Sequence, residues 1–342
     1  MSRSVALSGR IRLADVARAA GVSAMTVSRA LHEPQRLRPQ TLRTTLEKIR
    51  ELGYLPNVSA RSLASNRSRI VAAIVPTLSH SVYAGTLQGL SDGLRGSGFE
   101  LMLGDSGYSA RKERSLIGAF IARGADALVL TGVEHDLESR ALLKAHELPV
   151  AEIWDLGREP IGVSVGFSNR AAGLAAGRLL ASIGRRRWGF LGSLPTQEHR
   201  SRKRMEGFQQ AAREAGLARP ATALVANAML IEEGRDAAAR LLAGDQRIDA
   251  VFCANDLLAC GLLQAARQAG VRVPEKLAVV GFGDFDVAAI AHPAITTVRI
   301  PGYRMGRVAA ESLLAQLGQS GDPAKAGRRF DLGFDIVRRA TA

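Results

Sequence analysis

The chain has only two cysteines in 342 residues, Cys253 and Cys260, and neither sits in metal-ligand spacing. That excludes a disulfide framework or a cysteine metal centre, and the pair reads as buried thiols. No metal and no cofactor is expected. No apolar run approaches the roughly 18 residues that span a bilayer. The polar, basic start (1–12) also lacks the apolar stretch of a secretory signal. The expectation is a soluble, cytoplasmic chain without a membrane partner. There is no Walker motif, no dinucleotide fingerprint and no nucleophile elbow. The glycines of 93–98 fall at a helix end, and Asp284 and Asp286 have no evident acid–base partner, so no enzyme is expected. No heptad-rich tail precedes the ending Arg338-Arg339-Ala340, which favours a dimer over a larger assembly.

Acidic residues are scarce where basic ones gather. The formal charge is +14, and residues 1–69 carry thirteen basic side chains against Asp15, Glu33, Glu47 and Glu51, a net +9. Such a head is the electrostatic footprint of a polyanion-binding module. A merely solvated tail would lack hydrophobic periodicity, and this segment has it. Leu13, Val16, Ala17 and Ala20 predict a first helix, and Gly21 a tight turn. Ser23 reads as the N-cap of a second helix over 24–31. Helix, glycine turn and second helix within about 20 residues is the helix-turn-helix pattern. Pro39 opens a third helix whose stripe is Leu42, Leu46, Ile49 and Leu52, with Gly53 as its terminator.

From Ile70 the texture changes. With 46% hydrophobic and 23% charged residues, the chain can bury sizeable cores, and its length suggests two or three domains. Short apolar runs at 70–75, 101–103, 127–130, 150–153, 188–191, 250–253 and 277–280 read as buried parallel strands. Helical segments at 83–97, 111–123, 138–146, 169–183, 202–215, 232–243 and 256–269 alternate with them. This rhythm predicts doubly wound α/β sheets, enough for two lobes, with ligand at the carboxyl ends of the strands.

Leu13-Ala14-Asp15-Val16-Ala17, Gly21-Val22-Ser23 and Thr26-Val27-Ser28-Arg29-Ala30-Leu31 together resemble the head of the LacI/GalR regulators, as does Leu52-Gly53-Tyr54-Leu55-Pro56-Asn57. The likeness continues through Phe252-Cys253-Ala254-Asn255-Asp256, Val279-Val280-Gly281-Phe282 and Pro293-Ala294-Ile295-Thr296-Thr297-Val298. It implies an all-α helix-turn-helix head with a hinge helix, plus an α/β two-lobed body like periplasmic binding proteins, built of two doubly wound parallel sheets. The divisions expected are a head over 1–56, a hinge over 57–69 and a body over 70–342. Lobe 1 would take 70–168 and 299–330, and lobe 2 would take 169–298 and 331–342. A homodimer would set two heads on pseudo-palindromic operator DNA.

The resemblance implies that Ala24, Met25 and Arg29 meet base edges, with Ser23, Thr26 and Ser28 nearer phosphate. Arg29 can pair bidentately with guanine, whereas Ala24 and Met25 offer apolar contact only and also read as plain surface residues. Around Asn57 and Ala60 it implies a hinge helix with Leu63 as a minor-groove wedge. The alternative is a linker with Leu63 packed on the body.

For the effector, the resemblance singles out Asp155, Arg204 and Asn255, and Ser79, His80 and Tyr83 should line the same cleft. Asp155 and Asn255 also read as helix caps or turn residues, and His80 as a structural histidine. Arg204 stands out because it opens a helix. Where many relatives carry an acid after the Gly-aromatic pair, this chain has Gly283, followed by Asp284, while Arg200 and Lys203 add charge around Arg204. The alternative is that these two face solvent. A lost carboxylate and added cations favour an anion. That pattern, with 165–169 and 331–334, resembles the gluconate-repressor branch and implies a sugar acid such as gluconate, a ketogluconate or 6-phosphogluconate. The alternatives are a neutral sugar or nucleoside, a corepressor, a stand-alone sugar-binding protein and nonspecific DNA packaging.

Overall fold

A computed structural model describes residues 11–54, 68–79, 81–194, 198–244, 247–319 and 329–342. The chain divides into two compact units, Met1–Ser68 and Arg69–Ala342.

In the first unit, α1 (Leu13–Ala20), α2 (Ala24–His32) and α3 (Pro39–Leu52) surround a small core. Val16, Ala17, Val27 and Tyr54 fill it, with Leu13, Ile49 and Leu52 against it. Burying a valine contributes roughly 1.5–3 kcal/mol, so few side chains hold so small a unit together. The helix ends are set locally. The Arg12 backbone N–H donates to Asp15 Oδ2 at 2.9 Å. Gly21 ends α1 in the left-handed region (φ 66°), which costs a glycine little. Ser23 Oγ accepts the Thr26 amide at 3.2 Å, capping α2.

The second unit holds two sheets. The first is built from β1 (Ile70–Val75), β2 (Glu100–Asp105), β3 (Ala127–Thr131), β4 (Val150–Ile153), β5 (Val163–Gly166) and the late β11 (Arg329–Asp331), in the order β11-β5-β4-β3-β1-β2, all parallel. Its helices are α4 (Ala84–Leu94), α5 (Ala110–Ala122) and α6 (Leu137–His146). The second sheet takes β6 (Trp188–Ser193), β7 (Ala221–Val225), β8 (Ala250–Cys253), β9 (Ala278–Gly283), β10 (Thr296–Arg299) and β12 (Asp335–Val337), in the order β12-β10-β9-β8-β6-β7. Around it stand α7 (Asn169–Ser182), α8 (His199–Glu214), α9 (Ile231–Ala243), α10 (Asp256–Gln268) and the short α11 (Asp286–Ile290). After β10 the chain returns to the first sheet, where α12 (Gly302–Gln316) packs on α4, β4 and β5. It therefore passes between lobes after β5, after β10 and between β11 and β12.

The sheets depart from strict parallelism in one place: β12 runs antiparallel to β10. The short runs β5, β7, β10, β11 and β12 lie outside the strands that the apolar pattern predicts. In β11 and β12, three residues each with aspartate or arginine among them, there is no apolar run to read. The helix α8 begins at His199, three residues earlier than expected, so Arg204 lies in its second turn and does not open it. Cys253 and Cys260 are free and buried.

Candidate effector cleft and DNA-reading helix

The carboxyl ends of both sheets face one cleft in the body. A cavity of about 560 Å³ is bounded by Thr77, Ser79 and Tyr108 from the first lobe and by Ser193, Glu198 and Asn227 from the second. A pocket of about 110 Å³ shares Pro76, Tyr108, Ser109 and Glu198 with it and adds Glu134, Asp155 and Arg200.

The side chain pattern begins with how α7 meets α8. A Cβ on Gly173 would lie 1.9 Å from the Arg204 carbonyl oxygen, so the helices touch backbone to backbone. That contact brings Arg204 beside Asn169, at the start of α7, and its Nη1 donates to Asn169 Oδ1 at 2.6 Å. Asn169 Nδ2 in turn donates to the Trp154 carbonyl at 2.9 Å and to Asp155 Oδ1 at 3.3 Å. Asp155 Oδ2 takes Lys203 Nζ at 2.6 Å. Arg204 also donates from Nη2 to Glu198 Oε1 at 3.1 Å and stacks over the Phe282 ring at 4.1 Å.

Arg200, equally buried, donates from Nη2 to the Tyr83 hydroxyl at 2.9 Å. Its nearest carboxylate oxygen, Glu198 Oε1, is 3.7 Å away. Tyr83 and Trp154 meet edge to face at 4.8 Å and form the floor under that guanidinium. Burial pushes the Tyr83 and Tyr108 phenols above their usual range, so both are neutral hydroxyls near pH 7. Burial would also raise the Glu198 carboxyl, but Arg204, Arg200 and the Ser193 hydroxyl together hold it below its usual range and ionised.

The structure thus brings Ser79, Tyr83, Asp155, Arg200 and Arg204 to one cleft. Asn255 stands one layer back. It caps α10 by accepting the Leu258 amide at 2.8 Å, and its Nδ2 donates to the Ala228 carbonyl on the cleft wall at 2.9 Å. Gly283 and Asp284 are not on these walls. The Asp284 carboxylate is spent on Arg299 at 2.5 Å and Arg339 at 2.6 Å. His80 lies outside the described residues, as do Asn57, Ala60 and Leu63. Glu198, Glu134 and Asn169 were not singled out from sequence. A signal existed for the first, the only acid in 198–204 among four basic residues.

In the head, Ser23 at the N-cap of α2 and Ala24, Met25 and Arg29 along it are exposed, and Thr26 and Ser28 are half-buried. Met25 keeps 62% of its surface exposed, which a side chain kept for the core would not.

A basic helix-turn-helix unit carried with a two-lobed α/β body defines a DNA-binding regulator with a small-molecule-binding domain. Residues 12–57 match the family described as bacterial regulatory proteins, lacI family, and residues 178–342 match the periplasmic binding protein-like domain. The HTH-type transcriptional regulator GntR of Pseudomonas aeruginosa is 36% identical over 332 residues, 97% of this chain and 95% of that protein. A LacI-family regulator from Silicibacter pomeroyi superposes with a TM-score of 0.89 at 31% identity, covering 97% and 99% of the two chains. The transcription regulator GntR from Chromobacterium violaceum gives 0.75 at 36% identity, covering 80% of this chain and 98% of its own. The chain belongs to the LacI family of DNA-binding transcriptional regulators, and its relatives are regulators, not enzymes. No helix among the described residues is long and apolar enough to cross a membrane.

Proposed function

We propose that this chain is a cytoplasmic, homodimeric repressor that leaves pseudo-palindromic operator DNA when a sugar acid such as gluconate enters the cleft. The head over 1–56 would read DNA, with Arg29 on guanine, Ala24 and Met25 against base edges, and Ser23, Thr26 and Ser28 near phosphate. Residues 57–69, with Asn57, Ala60 and Leu63, would couple head and body. The body over 70–342, with Ser79, His80, Tyr83, Asp155, Arg200, Arg204 and Asn255 at or behind its cleft, would sense the acid. Gly283 and Asp284 lie off the walls of both cavities and take no direct part in holding the acid, the Asp284 carboxylate being held by Arg299 and Arg339.

The observation that carries the ligand class is Arg200. It is a buried guanidinium on the cleft wall whose hydrogen bond among the described residues goes to a neutral phenol, with the nearest carboxylate, Glu198, at 3.7 Å. Guanidinium pairs bidentately with carboxylate. Effector and operator are linked through the two-lobed body, with couplings of roughly 1–3 kcal/mol in typical allosteric proteins.

The test has two arms. Thermal unfolding of the full chain should show stabilisation by gluconate, about 2.7 kcal/mol at a hundredfold excess over its dissociation constant. Neutral sugars should leave it unchanged, and Arg204→Glu should abolish the effect. On a duplex selected from a random pool, gluconate should release the protein. Arg29→Ala should cost about 1–3 kcal/mol in discrimination at one guanine position. Stabilisation by neutral sugars alone would overturn the sugar-acid reading and leave the DNA-binding class standing.

A further inference from the structure

Two guanidinium groups, Arg200 and Arg204, are buried at the cleft, with only 6% and 3% of their surface exposed, and one ionised carboxylate, Glu198, lies between them. The other charges on these walls are matched elsewhere. Asp155 holds Lys203 at 2.6 Å, Asp105 faces Lys112 at 3.6 Å, and Glu113 holds His135 at 2.7 Å. Glu134 is shared by Lys203, Arg202 and His199, each within 3.2 Å. Tyr83 and Tyr108 are neutral. The buried trio is therefore left with one positive charge. Buried charges persist when they are paired, so a ligand that brings one negative charge completes the site, and a second would be buried without a partner.

We infer that Glu198 sets the charge this cleft accepts, admitting a monocarboxylate polyhydroxy acid and discriminating against phosphorylated acids that carry further negative charge. The inference rests on the sugar-acid reading above and sharpens it. Glu198 is well placed for this role. It lines both cavities, Ser193 Oγ donates to its Oε2 at 2.9 Å, and its Oε1 accepts from Arg204. It sits at the N-cap position of α8, where the helix dipole also favours a negative charge. A ligand carboxylate would meet Arg200 on the side that Glu198 leaves at 3.7 Å. Hydroxyls of the same ligand would meet neutral donors and acceptors such as Ser79 and Asn227.

The experiment is titration calorimetry of the full chain and of Glu198→Gln with gluconate, 6-phosphogluconate and glucose. The wild type should prefer gluconate over its 6-phosphate. Replacing Glu198 by the uncharged amide adds one positive charge, so the ratio should move at least about tenfold toward the phosphorylated acid. Glu198→Asp keeps the charge and should keep the wild-type order, which separates charge from packing. Should Glu198→Gln not fold, Arg200→Gln tests the same count from the other side. With that cation gone the trio is neutral, and gluconate affinity should fall at least about tenfold while glucose stays unchanged. An unaltered gluconate-to-phosphogluconate ratio in a folded Glu198→Gln protein overturns the inference and leaves the sugar-acid reading intact. Binding of glucose but of neither acid by the wild type overturns both.

Discussion

Lys203 Nζ lies 2.6 Å from Asp155 Oδ2, and the two residues belong to different lobes. Asp155 follows β4 in the first sheet, and Lys203 projects from α8, which packs on the second lobe. Asp155 is buried and Lys203 is largely so. Burial works against the Lys203 ammonium, but Asp155 and then Glu134 more than compensate and hold its pKa above the usual value. Both carboxylates come from the first lobe. The pair therefore reports on lobe closure as well as on local packing.

Asp155→Asn should expose that link. The amide leaves Lys203 with Glu134 alone at 3.0 Å and removes the charge that burial had been matched to. Breaking a fully buried ion pair costs about 3–5 kcal/mol, and partial exposure lowers the expectation here to about 1–3 kcal/mol. Urea unfolding of the full chain measures it. The same variant should weaken ligand-induced stabilisation, because closure loses one of its cross-lobe contacts. A variant as stable as the wild type would mean that Lys203 finds water instead.

The head and the alternation of the body were legible in the sequence because each depends on local chemistry. Ser23 caps, Gly21 turns, and β1, β3 and β8 are unbroken apolar runs. Asn255 reads equally as cap and ligand contact, and the structure shows the cap plus a bond to the cleft wall. The edge strands were not legible, since β11 and β12 owe their existence to β5 and β10. Nor was the Asn169–Arg204–Glu198 network, because it is assembled by two helices touching at Gly173 and Gly207. Asp284, which follows Gly283, was expected at the cleft, and the structure pairs its carboxylate with Arg299 and Arg339.

His135 gives a pH dependence with a definite sign. Its ring is wholly buried, with Nδ1 2.7 Å from Glu113 Oε1 and Nε2 3.6 Å from Glu152 Oε1. Burial lowers the imidazolium pKa, but the two glutamates outweigh it and push it up to about 9, against 6.5 for the free side chain. A raised pKa means the folded state binds the proton more tightly than the unfolded state does. The stabilisation is fully present below about pH 6.5 and is lost as pH rises through 9. The loss should be about 2–3 kcal/mol by the linkage relation. Asp256, pushed up to about 6 mainly by burial, titrates below this window. Urea unfolding at pH 6.5, 8 and 9.5 should therefore show a steeper decline for the wild type than for His135→Gln. Parallel curves for the two would show that the cluster is not charged in the folded protein.

Gly207 tests whether the backbone contact between α7 and α8 builds the site. A Cβ there would lie 1.9 Å from the Arg170 carbonyl oxygen and 2.9 Å from the Leu174 amide nitrogen, both rigid parts of α7. Gly207→Ala must push the helices apart, and overpacking of this kind costs about 1–3 kcal/mol. The displacement acts one turn from Arg204, so the 2.6 Å bond to Asn169 should lengthen and the guanidinium should leave its place beside Glu198. Ligand affinity should then fall further than global stability alone accounts for. Arg213→Ala, at an exposed position on the same helix, controls for helix propensity and should stay within about 0.5 kcal/mol of wild type. If Gly207→Ala keeps both its stability and its affinity, the helices yield without disturbing the arginine, and the contact is incidental to the site.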